Sequence, residues 1–321
     1  MTPDLPADPI SSRQTSPVIT PAPAVIPTVT PTVTLAHISD PHLPPPPVHW
    51  REALNKRALS LLSWKKHRRY VHLEQTCATL IKDIGRSHVD TILVSGDLTN
   101  FGTPDEFAAA ARWLDALPAP ALVIPGNHDC MVRQPASVGL HQWERWSARQ
   151  YPYVRIQNGV AIVGVNSGIP TAPFMACGRV GHRQRERLEA LLEELGREGL
   201  CRVVMIHHPP RRGLVPWRKS LLDHREVSAV FRRAGAEIVL HGHSHDATLT
   251  HIAGTDIPLL GVASASLTDE RPHRQACWNR LSIHPYREGW TITLARHRLD
   301  GSVSERASWN RPGNHAGRTE A

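Results

Sequence analysis

Glu237-Ile-Val-Leu-His-Gly-His-Ser-His-Asp246 is the stretch on which the reading of this chain turns. Glu237 to Leu240 form an apolar, strand-type run that breaks at Gly242 into two histidines one residue apart, His243 and His245. Side chains at i and i+2 of an extended backbone share a face, so both imidazoles can reach into one small volume. Imidazole suits Zn, Fe, Ni and Cu. The pair alone says little, because the chain carries 20 histidines. It gains weight because other apolar runs end the same way.

Val33 to Ser39 stops at Asp40-Pro-His42, and Asp90 to Ser95 stops at Gly96-Asp97. Ala121 to Ile124 stops at Pro125-Gly-Asn-His-Asp129, and Cys201 to Ile206 at His207-His-Pro-Pro210. Helical patterns lie between most of these runs: Leu73 to Arg86, a segment opened by Thr103-Pro-Asp-Glu106, Gly181 to Arg197, and Asp223 to Ala234. The second has threonine at its cap, proline at N1 and acids in its first turn, the residues that start helices. Alternating strands and helices imply a parallel or mixed sheet with helical flanks, an α/β fold. Ligands gather at the carboxyl ends of such strands, so clusters spread over residues 40 to 245 can converge on one pocket within a single domain, residues 34–300. A hairpin is expected around Asn158-Gly159. Ile257 to Val262, Trp278 to Ile283 and Trp290 to His297 read as antiparallel strands. Residues 301–321 are polar and read as a flexible tail.

The bulk numbers exclude several classes. At 40% hydrophobic and 21% charged, the 321 residues read as a soluble, globular chain. No apolar run approaches the roughly 20 residues that span a bilayer. Residues 1–33 are rich in proline and threonine and read as a disordered or polyproline-like tail without the pattern of a signal peptide. The five cysteines are scattered, with no C-x-x-C pair. That pattern fits reduced thiols in a cytoplasm rather than a disulfide scaffold. A net charge of +8 favours anionic partners. Beyond that charge there is no aromatic stacking module or other nucleic-acid signal. Trp50 to His72 is basic and amphipathic; it reads as a solvated cationic face or as a lid or docking surface for an anionic substrate or membrane.

The donors at the strand ends are Asp, Asn and His without cysteine, a set that suits Mn, Fe, Co or Zn. They are too many for one ion and enough for two. A two-metal site needs a shared ligand, and a carboxylate can bridge cations about 3.5–4 Å apart. Asp97, after Gly96, is the natural bridge.

The ordered series Asp-x-His, Gly-Asp, Gly-Asn-His-Asp, His-His-Pro-Pro and Gly-His-Ser-His resembles the calcineurin-like metallophosphoesterases, most of all their cyclic-nucleotide (class III) phosphodiesterase branch. The resemblance implies a four-layer αββα sandwich of two mixed sheets, with the late strands in the second sheet. It implies one metal on Asp40, His42, Asp97 and His245, and another on Asp97, Asn127, His207 and His243, with Mn, Fe or Zn as the ions. His128 would be the non-ligand histidine beside the scissile phosphate, oriented by Asp40 or Asp129. A metal-bridging hydroxide would then attack phosphorus in line. His208 is left to supporting a neighbouring ligand or to packing, and Asp129 to closing its own loop as the alternative to supporting catalysis. His37 and His241 are left to supporting hydrogen bonds, and His72 to the ordinary surface or core histidines. Cys130 is not a residue associated with the family at its position. The expected function is hydrolysis of a phosphodiester or phosphomonoester, with cyclic nucleotides as one substrate class. Competing readings are a lipid-linked phosphoester or pyrophosphate hydrolase at a membrane surface, touching it through residues 50–72, and a non-catalytic scaffold recruited through the Pro-rich tail.

Overall fold

Each strand of the core sorts its side chains between two apolar layers, and this sorting builds the fold. In the computed structural model, which describes residues 33–49, 51, 55–287 and 289–312, β1 (Val33–Ile38) turns Val33 and Leu35 toward one layer and Ala36 and Ile38 toward another. It pairs in parallel with β2 (Thr91–Val94), which pairs in parallel with β3 (Ala121–Val123). A second sheet grows from the hairpin of β4 (Tyr153–Gln157) and β5 (Val160–Val165). Parallel neighbours β6 (Cys201–Ile206) and β7 (Ile238–His241) follow. Its far edge is β8 (Leu249–His251) and β9 (Pro258–Gly261).

Leu35 and Leu93 of the first sheet pack against Val203, Met205 and Leu240 of the second, so the two sheets bury a shared face. The outer face of the first is covered by α1 (Glu74–Arg86) and α2 (Pro104–Asp115), through Leu80, Ile84, Phe107 and Leu114. That of the second is covered by α3 (His182–Arg197) and α4 (His224–Ala234), through Leu188, Leu192, Val227 and Phe231. Two mixed sheets flanked by helices are the expected sandwich.

Three expectations fail. β10 (Cys277–Tyr286) and β11 (Gly289–Arg298) join β1 in the first sheet, not the second. The run near Ile257 becomes β9, antiparallel to β8 as expected on one edge but parallel to β7 on the other. Val303–Pro312 is not a frayed tail but a ten-residue edge strand, β12, paired antiparallel with β11. Its composition hides it, because the inward positions Val303, Glu305, Ala307, Trp309 and Arg311 mix apolar and charged groups. Glu305 pairs with Arg296, and Arg311 with Asp256, so ion pairs supplement the backbone ladder. The Pro-rich tail, Trp50 and the residues beyond 312 lie outside the described residues.

One buried ion pair locks the helices of the second sheet to its strands. Arg202, on the helix-facing side of β6, donates through Nη2 to Glu237 at 2.7 Å and through Nη1 to the carbonyls of Leu192 and Ala234 at 3.0 and 2.7 Å. Removing one partner of such a pair strands the other charge in the core. Glu237→Ala is expected to lower stability by about 3–5 kcal/mol in urea unfolding, and Glu237→Gln by less because it keeps an acceptor; equal midpoints for wild type and Glu237→Ala would contradict this.

Candidate metal centre

The polar clusters sit where β1, β2, β3, β6 and β7 end, on one edge of the sandwich. All eight residues expected at the site meet there. Donor atoms of Asp40, Asp97 and His207 lie within 4.8 Å of one another, as do those of His42, Asp97 and His128. His245 Nε2 is 3.2 Å from Asp40 Oδ1 and 3.4 Å from His42 Nε2. His207 Nε2 is 3.4 Å from Asp97 Oδ2 and 3.3 Å from Asn127 Oδ1. The His243 amide donates to Asp40 Oδ2 at 3.0 Å.

This convergence is bought with backbone strain. Asp40, His42, Asp97, His243 and His245 all have φ between 41° and 64°, a left-handed region that non-glycine residues seldom enter. Such residues cluster where surrounding structure over-determines them and function needs them. Gly126 completes the turn by leaving room: a Cβ there would lie 2.1 Å from Asp97 Oδ1.

The support for these turns was only partly legible. Asp129 carries the loop network: its carboxylate accepts from the amides of Asp97, Thr99 and Gly126 at 2.8–2.9 Å and from the Thr99 hydroxyl. It thereby ties the Gly-Asp turn to the Asn-His-Asp turn and does not contact His128. The orienting partner of His128 is instead the Asn100 carbonyl, which accepts from Nδ1 at 2.8 Å. Asn100 is fixed in turn by Glu106, whose Oε1 accepts its amide at 2.7 Å. Glu106 also closes the capping box with Thr103, so one helix start sets the tautomer of a site histidine.

Ring hydrogen bonds fix which imidazole nitrogen is turned away from the backbone partner. His207 Nδ1 donates to the Ser95 carbonyl at 2.7 Å, leaving Nε2 toward Asp97 and Asn127. His243 Nε2 donates to the Lys219 carbonyl at 2.8 Å, which leaves Nδ1 as its acceptor. Such outer partners orient metal-binding imidazoles. Burial, reinforced by Arg68, holds His42 well below the ordinary histidine range; burial followed by His208 does the same for His243. His128 is lowered to about 4 by burial and then by Arg68. These rings are therefore neutral, the form that binds cations. His207 runs the other way: burial opposes its charge, but the Asp97 carboxylate outweighs it and pushes the ring up to about 9.

Asp40 is fully buried, and its Oδ1 has no hydrogen-bond partner among the described residues. Bare carboxylate oxygen, neutral imidazole nitrogens and an amide oxygen around one cleft are the donor set of a hard or borderline cation. The residues fit a metal centre.

Some site neighbours were missed. His72 is buried with its ring 4.7 Å from His42 and its Nδ1 2.9 Å from Ser266 Oγ, not among the ordinary histidines. Arg68 lies one turn before it, and their i, i+4 spacing on a helical face was the available signal. His208 packs as expected, bonding Ser167 Oγ at 2.8 Å beside His243. His37 bonds Ser95 Oγ at 2.9 Å, behind the carbonyl that holds His207, whereas His241 bonds its own neighbour's carbonyl and Thr248.

Residues 33–247 match the calcineurin-like phosphoesterase family, and this span contains every strand end that feeds the cleft. The chain belongs to that family. Family membership and the phosphodiesterase names of its relatives make it a phosphoester hydrolase. It is 28% identical over 214 residues to a probable cyclic nucleotide phosphodiesterase of Synechococcus, covering 65% of this chain and 77% of that protein. It is also 28% identical over 190 residues to the glycerophosphodiester phosphodiesterase GpdQ of Enterobacter lignolyticus, covering 54% and 63%. Its fold matches a dimetal phosphatase from Danio rerio at a TM-score of 0.56 and 13% identity, over 87% of this chain and 98% of that one. A purple acid phosphatase from yellow lupin matches at 0.58 and 12%, over 88% and 54%.

The Gly126 contact makes a direct test of the turn. Gly126→Ala drives a methyl group into the Asp97 carboxylate and is expected to cost about 1–3 kcal/mol of stability, the range for overpacking; an unchanged urea midpoint would show the turn to be looser than described.

Proposed function

We propose that the chain is a two-metal phosphodiesterase acting on a small phosphodiester, with cyclic nucleotides and glycerophosphodiesters as the nearest substrate classes. The observation that carries the reading is the meeting of two buried carboxylates, Asp40 and Asp97, with five imidazoles and Asn127 in one cleft. The relatives named for these two diester classes support it.

Asp40, His42, Asp97 and His245 would hold one cation, and Asp97, Asn127, His207 and His243 the other. Bound there, Mn, Fe or Zn would activate water and neutralise charge on the phosphoryl oxygens. The chain's own residues do the rest. Asn127, when its amide faces substrate, orients a phosphoryl oxygen, and the buried cleft strengthens every such contact. His128, with Nδ1 donating to Asn100, presents Nε2 as a proton acceptor. Before it can donate to a leaving oxygen it must take up a proton, and an anionic phosphate beside it favours that charged form.

His128→Ala is expected to lower kcat on glycerophosphoethanolamine, whose alkoxide leaving group needs a proton, by about 10²–10⁴-fold, the usual scale for proton transfer, with metal content unchanged. Equal kcat in the variant would remove His128 from the chemistry, and no metal-dependent turnover by metal-loaded wild type would defeat the enzyme reading.

A specific feature of the rim favours a second reading of the substrate. Phe174 and Trp217 are 81% and 75% exposed, on adjoining loops joined by the Ala176 amide to the Arg218 carbonyl. Leu62 and Tyr70 are also exposed, and Lys65, Lys66, Arg69 and Arg218 accompany them. Exposed aromatics among cations suit an anionic membrane surface, where a lipid-linked phosphoester would reach the cleft. The chain is expected to co-sediment with phosphatidylserine-containing vesicles but not pure phosphatidylcholine, and Trp217→Ser with Phe174→Ser to abolish that binding; identical sedimentation with both lipids would dismiss it. Among the described residues no helix is long and apolar enough to cross a membrane. A cytoplasmic setting, suggested by the unpaired cysteines, is part of this proposal.

A further inference from the structure

The basic segment before α1 does not lie flat on the surface. Arg57–Ser63 is α-helical, Trp64–Arg68 is a π-helical turn, and Arg69–Val71 resumes the α-helix. π-Turns are uncommon and concentrate at functional sites, because the extra residue re-aims the side chains that follow. Lys65, Lys66, His67 and Arg69 face solvent, while Arg68, the last residue of the turn, is half-buried and reaches into the cleft.

The segment is fastened at both ends. Lys56 Nζ donates to Thr171 Oγ1 at 2.6 Å and to the Met175 carbonyl at 2.7 Å. Arg57 donates to the carbonyls of Phe101 and Gly102 at 2.9 and 2.6 Å. At the other end the Thr268 amide donates to the Val71 carbonyl at 2.8 Å, and His72 is held by Ser266. Arg68 is thus presented by a tethered bridge over the cleft.

Its guanidinium makes an unusual pair of contacts. Nη2 lies 2.9 and 3.0 Å from the two ring nitrogens of His42, and Nη1 lies 3.3 and 3.4 Å from the two of His128. Near-equal distances to both nitrogens of each ring share Nη2 with His42 and Nη1 with His128, while Nε has no hydrogen bond among the described residues, so part of the N–H fork remains for another acceptor. Among the described residues no carboxylate oxygen lies within 4.0 Å of it, although Asp97 and Asp40 face it from the floor. The result is a cationic fork, flanked by a candidate metal ligand and the candidate proton handler, that among the described residues is faced by Asp97 and Asp40 but makes no ion pair with them.

We propose that Arg68 is the anion clamp of this site, donating to a non-bridging oxygen of the substrate phosphate and of the product phosphate. A planar guanidinium matches two phosphate oxygens as a point-charge ammonium does not. This rests on the phosphoester reading of the cleft. His72, one turn on, lies edge-on to His42 on the same side of the cleft.

Titration calorimetry of inorganic phosphate into Mn²⁺-loaded full-length protein tests the clamp. Metal content and diester turnover are measured on the same samples. Arg68→Ala is expected to weaken phosphate binding and raise KM by about 10- to 100-fold, the worth of a hydrogen bond to a charged group. Arg68→Lys is expected to fall between the variant and wild type, with metal stoichiometry unchanged in both. Phosphate binding equal to wild type in Arg68→Ala would overturn the clamp. So would weakening that tracks metal loss, which would make Arg68 a prop for the ligands. If metal-loaded wild type neither binds phosphate nor turns over diester, the phosphoester reading itself fails; if it does both and Arg68→Ala matches it, only the clamp fails.

Discussion

Asp40 and Asp97 place two carboxylates, almost without access to water, along the line where two sheets end. Buried charge is costly unless it is paired or binds a cation, and the surrounding architecture answers that cost. His207 and His245 approach the two acids from the ends of the neighbouring parallel strands β6 and β7. Backbone amides of His128 and His243 donate to them at 2.7 and 3.0 Å. Asp40 Oδ1 has no hydrogen bond among the described residues, only the His245 ring nitrogen 3.2 Å away. A cation would supply the missing charge, so the burial that disfavours two free carboxylates would favour metal binding here.

The sandwich explains why this concentration is possible. Parallel strands deliver their carboxyl ends to one edge, so residues two hundred positions apart become neighbours without long excursions. Apolar packing between the sheets keeps those ends in register. The left-handed residues at the turns store strain that this packing can hold. Asp129 and Glu106, neither of them in the cleft's donor set, spend their carboxylates on loop amides, and in doing so they place Asp97 and the tautomer of His128.

How much of this was visible in the sequence follows from where each property resides. Strand ends followed by Asp, Asn and His are local patterns, so Asp40 to His245 could be read directly, as could the capping box at Thr103. Arg68 and His72 depend on how one basic helix crosses the cleft, and Lys65, Lys66 and Arg69 share their composition but not their orientation. β12 was hidden for a related reason: its inward positions include the charged Glu305 and Arg311, and the partner of Arg311, Asp256, lies far back along the chain. The sheet that takes the late strands is likewise a long-range choice, which periodicity within a segment does not encode. Asn100 was out of reach because its function resides in a carbonyl, a group that every residue has.

The central claim is that these strand ends enclose a pair of cations around one shared carboxylate. Anomalous diffraction from crystals of the Mn²⁺-loaded chain tests it most directly. The account predicts two peaks, one on each side of the Asp97 carboxylate, with His42 and His245 on one and His207 and His243 on the other. A cleft without anomalous density, with manganese found only on surface histidines, would contradict it.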